Sequence, residues 1–145
     1  GHFFVPSNVF IIGTMNDIDR SVESMDFAMR RRFAWKEVTA EESMDMLDNC
    51  PQLDAVREEI KSRMRNLNHA IEGMDELGRA YDIGAAYFLK YSDYGNFDDL
   101  WEYHLKGVLC EYLRGERDPE KKLEELHKAY NNDSASTIIK NDNEG

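Results

Sequence analysis

This sequence predicts a mainly α-helical protein with a small α/β portion at its start. Two patterns carry that reading. Beyond Val38, apolar residues recur at three- and four-residue steps, the period of amphipathic helices. Before it lies a short, continuous apolar and β-branched run, Val9-Phe10-Ile11-Ile12-Gly13-Thr14. A run of that length without alternation reads as a strand buried on both faces, as in a parallel sheet.

Pro6-Ser7-Asn8 bounds this strand before and Asn16-Asp17 after. One such strand cannot fold alone, so its sheet neighbours are expected outside this chain. The opening Gly1-His2-Phe3-Phe4 carries no Met and suggests a start inside a domain. An amphipathic stretch follows Ser21 through Arg32, with Val22, Met25 and Met29 on one face. Ala34-Trp35-Lys36-Glu37-Val38 alternates and reads as a second short strand. Strand, helix, strand is the grammar of a βαβ unit.

Thr39-Ala40-Glu41-Glu42 has capping-box spacing and starts a short helix to about Leu47. Cys50-Pro51 breaks it. Leu53, Val56, Ile60, Met64, Leu67, Ile71 and Met74 then mark a long amphipathic helix, with Gly73 and Gly78 flanking its end. Ile83 to Tyr91 could form a short helix, and Tyr94-Gly95-Asn96 is a turn. Leu100, Trp101, His104, Leu105, Val108, Leu109, Tyr112 and Leu113 form the wide apolar face of another helix, ended by Gly115. Asp118-Pro119 is an N-cap and N1 pair for a last helix carrying Leu123, Leu126 and Tyr130. The polar remainder, residues 131–145, lacks periodicity and is expected to fray. Residues 39–130 read as a small helical bundle.

The chain has 145 residues and a formal net charge of −11. That acidic surplus argues against non-specific nucleic-acid binding, which needs clustered Lys and Arg. Cys50 and Cys110 show no metal-ligand spacing and read as reduced thiols. No apolar run approaches the roughly 18 residues of a membrane span, and no signal peptide opens the chain. A cytoplasmic protein with no membrane association and no metal site of its own fits these features.

Two segments carry candidate chemistry. Gly13-Thr14-Met15-Asn16-Asp17-Ile18-Asp19-Arg20-Ser21 follows the buried strand and precedes a helix. Loops beyond the carboxyl ends of strands face the ligand crevice in α/β sheets, so Asn16 stands where an amide could polarise a water. Asp19 and Arg20 share that loop. Asn and Asp also make turns and cap helices, and Ser21 alone could serve as the cap. The second segment is Arg30-Arg31-Arg32-Phe33. Cations suit the negative end of a helix dipole, which accounts for one or two of them. An arginine supplied across an interface also stabilises charge on a transferring phosphate.

Taken in order and spacing, VFIIGTMN, DIDRS and SMDFAMRRRF resemble the McrB-type branch of AAA+ proteins, the GTPase subunits of 5-methylcytosine-specific restriction systems. The match spans about residues 5–38, roughly a quarter of the chain. The resemblance implies a C-terminal portion of an AAA+ module. Residues 1–38 would finish the large α/β subdomain, residues 39–130 would form the all-α lid, and residues 131–145 a flexible tail.

It implies further that Asn16 is the sensor-1 residue, orienting the attacking water. Asp19 and Arg20 would belong to a loop linking hydrolysis to an activating partner. Arg31 and Arg32 would act on the nucleotide of the neighbouring subunit or hold the interface, with Arg30 facing elsewhere by helical phase. A weaker match, Ile83-Gly84-Ala85-Ala86-Tyr87-Phe88, falls where the family often has IGHSYF beside the nucleotide. Ala85 and Ala86 cannot hydrogen-bond through their side chains, which leaves Gly84 and Tyr87 only backbone or packing roles.

Neither a GxxxxGK[ST] loop nor an apolar strand ending in Asp-Glu is present. GTP or ATP with magnesium is therefore expected only in a full-length protein, and no tight nucleotide binding by this stretch alone. The implied partners are further copies in a ring, a McrC-type nuclease subunit, and DNA through other domains. Two other readings remain: another AAA+ ATPase such as a MoxR-type chaperone, or a non-enzymatic helical interaction module.

Overall fold

The computed structural model describes residues 4–15 and 27–132, which fall into two compact units, Gly1–Ala34 and Trp35–Gly145. Each is described by itself.

In the first unit, Ser7 and Asn8 turn the chain, with the Val9 amide donating to the Pro6 carbonyl at 3.1 Å. From Val9 to Met15 the backbone forms no strand and its side chains are exposed. Phe10 and Ile12 are 87% and 90% exposed. The buried strand expected over Val9–Thr14 is thus not formed. A strand exists through a neighbour that takes its amide and carbonyl groups, and no described residue lies in a strand. The helix expected from Ser21 to Arg32 is described only at its end, as the single turn α1 (Phe27–Arg30).

In the second unit, residues 35–38 are likewise exposed and irregular, so the second expected strand is also absent. The chain turns helical where local chemistry demands it. The Thr39 hydroxyl accepts from the Glu42 amide at 3.1 Å, and the Glu42 carboxylate accepts from the Thr39 amide at 3.0 Å. This closed capping box starts α2 (Ala40–Ser43), and α3 (Asp45–Asp48) follows immediately. Pro51 opens a 3₁₀ turn, Pro51–Leu53, where the sequence breaks.

The long helix α4 runs Arg57–Glu72 and buries Ile60, Met64, Leu67 and Ile71, one face at helical spacing. Leu53 and Met74, expected inside it, flank it instead. A second 3₁₀ turn, Arg79–Tyr81, leads into the short helices α5 (Ala85–Phe88) and α6 (Tyr91–Tyr94). Gly95 takes φ 76°, a left-handed geometry that favours glycine, and closes α6. Asn96 then caps α7 (Phe97–Leu100) by accepting from the Asp99 amide at 2.8 Å.

Helix α7 continues through a π-helical turn, Trp101–Leu105, into α8 (Lys106–Tyr112). The last helix, α9, runs Pro119–Tyr130. Asp118 stands before Pro119 as expected, but in left-handed backbone (φ 52°), and its side chain makes no cap hydrogen bond.

The core is one cluster. Leu47, Leu53, Ile60, Leu67, Ile83, Phe88, Leu100, Leu105, Leu109 and Leu126 are fully buried in it. Helix α9 lies against α4, and Arg63 of α4 fastens its end. Arg63 Nη1 donates to the Tyr130 carbonyl at 3.2 Å and to Asn131 Oδ1 at 2.9 Å. Its guanidinium lies 4.1 Å from the centre of the Phe97 ring, and Glu59 completes the set at 2.8 Å. The Tyr130 hydroxyl in turn donates to the Phe97 carbonyl at 3.0 Å. Three elements meet at one arginine whose planar fork suits several acceptors at once.

Candidate functional site

Asn16, Asp19 and Arg20 lie outside the described residues. Arg31 and Arg32 are exposed, in the turn that follows α1. That turn is closed by the Arg32 amide on the Met29 carbonyl (3.0 Å) and the Phe33 amide on the Arg30 carbonyl (3.4 Å). The two guanidinium groups are thus accessible to a partner or ligand.

Gly84 stands just before α5 and Tyr87 lies within it. Gly84 is its N-cap in extended backbone, with φ −74°. A Cβ there would meet only Ser43 Oγ at 3.6 Å, an ordinary contact, so space alone does not require glycine. Ala85 is buried, and its amide donates to Ser43 Oγ at 2.8 Å, while Ser43 donates onward to the Ala40 carbonyl at 2.6 Å. The Ser43 hydroxyl of α2 thus satisfies one of the open amides in the first turn of α5. The Tyr87 ring is half-buried and packs 5.4 Å from the His104 ring.

Sequence reasoning missed the feature that organises this end of the second unit. Asn68 is the one buried polar side chain among the described residues, on the apolar face of α4. Its Oδ1 accepts from the Ile83 amide at 2.7 Å, and its Nδ2 donates to the Ile83 carbonyl at 3.0 Å. This clamp fixes the chain between Asp82 and Gly84 against α4. The available signal was an Asn inside an apolar helical stripe, between Leu67 and Ile71. A buried amide must be hydrogen-bonded, so it must have a partner elsewhere in the chain.

Beside the clamp opens a polar cleft of about 400 Å³. Thr39, the cap of α2, and Glu41 within it, Arg65, His69 and Glu72 of α4, and Asp82 all line it, as does Arg79. Arg65 is held on the Glu41 carboxylate, at 3.0 Å from Nε and 2.8 Å from Nη2. Asp82 is different. Its Oδ1 is buried and accepts no hydrogen bond among the described residues. Burial, and then the neighbouring Glu72 carboxylate, push its carboxyl up to about 6, while Arg79 pulls the other way.

Among the described residues no three His, Cys, Asp or Glu side chains converge to hold a metal. Among the same residues no helix is long and apolar enough to cross a membrane.

Comparison with known proteins adds two findings. The family model described as the McrB alpha-helical lid domain matches residues 59–121. The Type IV methyl-directed restriction enzyme EcoKMcrB subunit of Escherichia coli (strain K12) is 35% identical over 91 residues, covering 59% of this chain and 20% of that protein. The chain thus spans about a fifth of the length of that curated relative. No solved structure matches.

Proposed function

We propose, given that this chain is of the McrB type and carries that family's alpha-helical lid over residues 59–121, that it serves a nucleotide-hydrolysing motor of a modification-dependent DNA restriction system. The observation that carries the reading is a conjunction. The lid match lies in the same chain as, and just downstream of, the TMNDIDRS and RRRF segments. The lid match speaks for the McrB type over a MoxR-type chaperone and over a helical module without enzymatic function.

In this reading Asn16 orients the water that attacks the terminal phosphate of GTP or ATP. Asp19 and Arg20 belong to the loop that senses an activating partner. Arg31 and Arg32 reach the nucleotide of the next subunit in a ring, and their exposure suits that use. Gly84 and Tyr87 contribute backbone and packing at the lid. A McrC-type nuclease subunit would be the partner, with DNA engaged through other domains. The last step rests on analogy with the family.

The test is made in the full-length protein. Asn16→Ala, and separately Arg31→Ala with Arg32→Ala, should each lower hydrolysis steeply, the arginine pair by roughly 10³-fold or more. Because the site is shared between subunits, mixing the two inactive proteins should restore part of the rate. Undiminished hydrolysis by both variants would falsify the catalytic reading and favour the helical interaction module.

A further inference from the structure

A line of aromatic rings crosses one side of the second unit. The Tyr87 ring packs 5.4 Å from His104, His104 lies 6.2 Å from Tyr94, and Tyr94 stacks 6.3 Å from Tyr103. Tyr112 stands at the other end beside Tyr87 and Tyr81, where burial pushes its hydroxyl up to about 12. Tyr87, Tyr94 and Tyr112 rest on the core but are only partly buried, and Tyr103 ends the line 70% exposed. Tyr103 and His104 are adjacent in the π-helical turn, and both reach Tyr94. Single exposed tyrosines are ordinary, but a contiguous line of rings is characteristic of contact surfaces, and π turns are frequent at functional sites.

Charge decides what fits this face. Tyr94, Tyr103 and Tyr112 each directly follow a carboxylate: Asp93, Glu102 and Glu111. These three carboxylates are exposed and paired only with Lys90, Lys106 and Arg114, one helical turn away. Exposed pairs of this kind contribute little and exchange readily. Lys90 takes only Oδ2 of Asp93, and Arg114 only Oε2 of Glu111, so one oxygen of each stays open among the described residues.

The same fold already shows which group a ring beside a carboxylate suits. Arg63 lies 4.1 Å over the Phe97 ring and holds the Glu59 carboxylate at 2.8 Å. A guanidinium stacks its plane on a ring while its edge donates to a carboxylate, and a lysine ammonium does neither as well. A phosphate backbone would meet repulsion from the same carboxylates in a chain of net charge −11.

We propose that the face formed by Tyr94, Tyr103 and His104, edged by Asp93 and Glu102 and continued by Tyr112 and Glu111, docks an arginine-rich segment of a partner protein. The ring faces take the guanidinium planes and the carboxylates take their edges. This face uses neither Asn16 nor the Arg31 and Arg32 pair, so it stands whether or not the chain serves a nucleotide-hydrolysing motor.

The test titrates two peptides into the whole chain: arginines separated by paired glycines, and the same sequence with lysine in place of arginine. Amide and ring chemical shifts report binding. The arginine peptide should bind about tenfold more tightly at equal ionic strength, since each exposed cation–π contact contributes roughly two- to fivefold. Its shifts should centre on Tyr94, Tyr103 and His104. Tyr103→Ser should remove most of that preference, Tyr103→Phe should keep it, and Glu102→Gln should weaken the arginine peptide about threefold. Tyr103 is exposed, so its variants should keep the fold, which circular dichroism checks.

Equal binding of the two peptides would reduce the effect to general attraction of a polycation and overturn the assignment. So would no shifts at millimolar peptide, shifts centred elsewhere, or an undiminished preference in Tyr103→Ser. Shifts of the same rings on adding oligo(dT), or on raising the concentration of the chain itself, would give the face to nucleic acid or to a second copy and likewise overturn it.

Discussion

Asn68 holds Ile83 by both ends of the peptide unit, accepting from its amide at 2.7 Å and donating to its carbonyl at 3.0 Å. Residues 15 apart in sequence are thereby joined as two strands of a ladder would be. Asn68→Leu keeps much of the volume but orphans both backbone groups of Ile83. A loss of roughly 2–4 kcal/mol is expected, since each buried unsatisfied group costs about 1–3 kcal/mol. Urea unfolding followed by circular dichroism measures it. A loss below about 0.5 kcal/mol, as at ordinary surface positions, would show that the clamp is dispensable.

Asp82 gives the fold a pH dependence of definite sign. Its folded value near 6 lies above the ordinary 3.8, so between these two the folded state binds more protons than the unfolded chain. Stability contributed by this group is therefore greatest below about 4 and declines as pH rises to about 6. Asp82→Asn removes the titration. The variant should melt a few degrees higher than the parent at pH 7.5, and the difference should shrink at pH 4.5. A gap that widens on acidification would contradict this.

Arg63 should resist conservative replacement. Lysine retains the charge but cannot reach Glu59, the Tyr130 carbonyl, Asn131 and the Phe97 ring together. Arg63→Lys is expected to cost about 1–2 kcal/mol, with Arg63→Ala costing more. Equal stability of the lysine variant and the parent, by thermal melting, would reduce the site to simple charge pairing.

Thr39→Ala removes one half of the capping box and Glu42→Ala the other. The threonine change should cost about 1 kcal/mol. The double variant should cost less than the sum of the singles, because the two bonds close one ring. Strict additivity in a double-mutant cycle would argue against a coupled cap.

What was legible in the sequence is what local chemistry decides. The capping box needs residues three apart, and Thr39 and Glu42 supply them. The stripe Ile60, Met64, Leu67, Ile71 follows from helical period, and the turn at Gly95 from backbone freedom. The strand over Val9–Thr14 was read from composition, but pairing depends on a neighbour that no described residue provides. Asp118 looked like a cap by type, yet its left-handed backbone goes with a side chain that makes no cap bond. The π-helical turn was hidden because the apolar face from Leu100 to Leu113 reads as one continuous helix. The cleft was hidden because Glu72 and Asp82, and Asn68 and Ile83, meet only through the tertiary fold. Of the candidate residues read from sequence, Arg31, Arg32, Gly84 and Tyr87 fall within the described residues, and Asn16, Asp19 and Arg20 fall outside them.

The wide turn at Trp101–Leu105 has a consequence for how this region tolerates length changes. It accommodates one residue more than an α-helical spiral would. Excising a single residue there would restore the regular spiral and leave everything downstream in register. The same excision in a regular turn, as within α8, would rotate the residues beyond it by about 100° and swing Leu113, now interior, toward water. A one-residue deletion should therefore be far less harmful in this stretch than in the middle of α4 or α8. Homologous sequences aligned without a gap at that point would pair interior positions with surface ones.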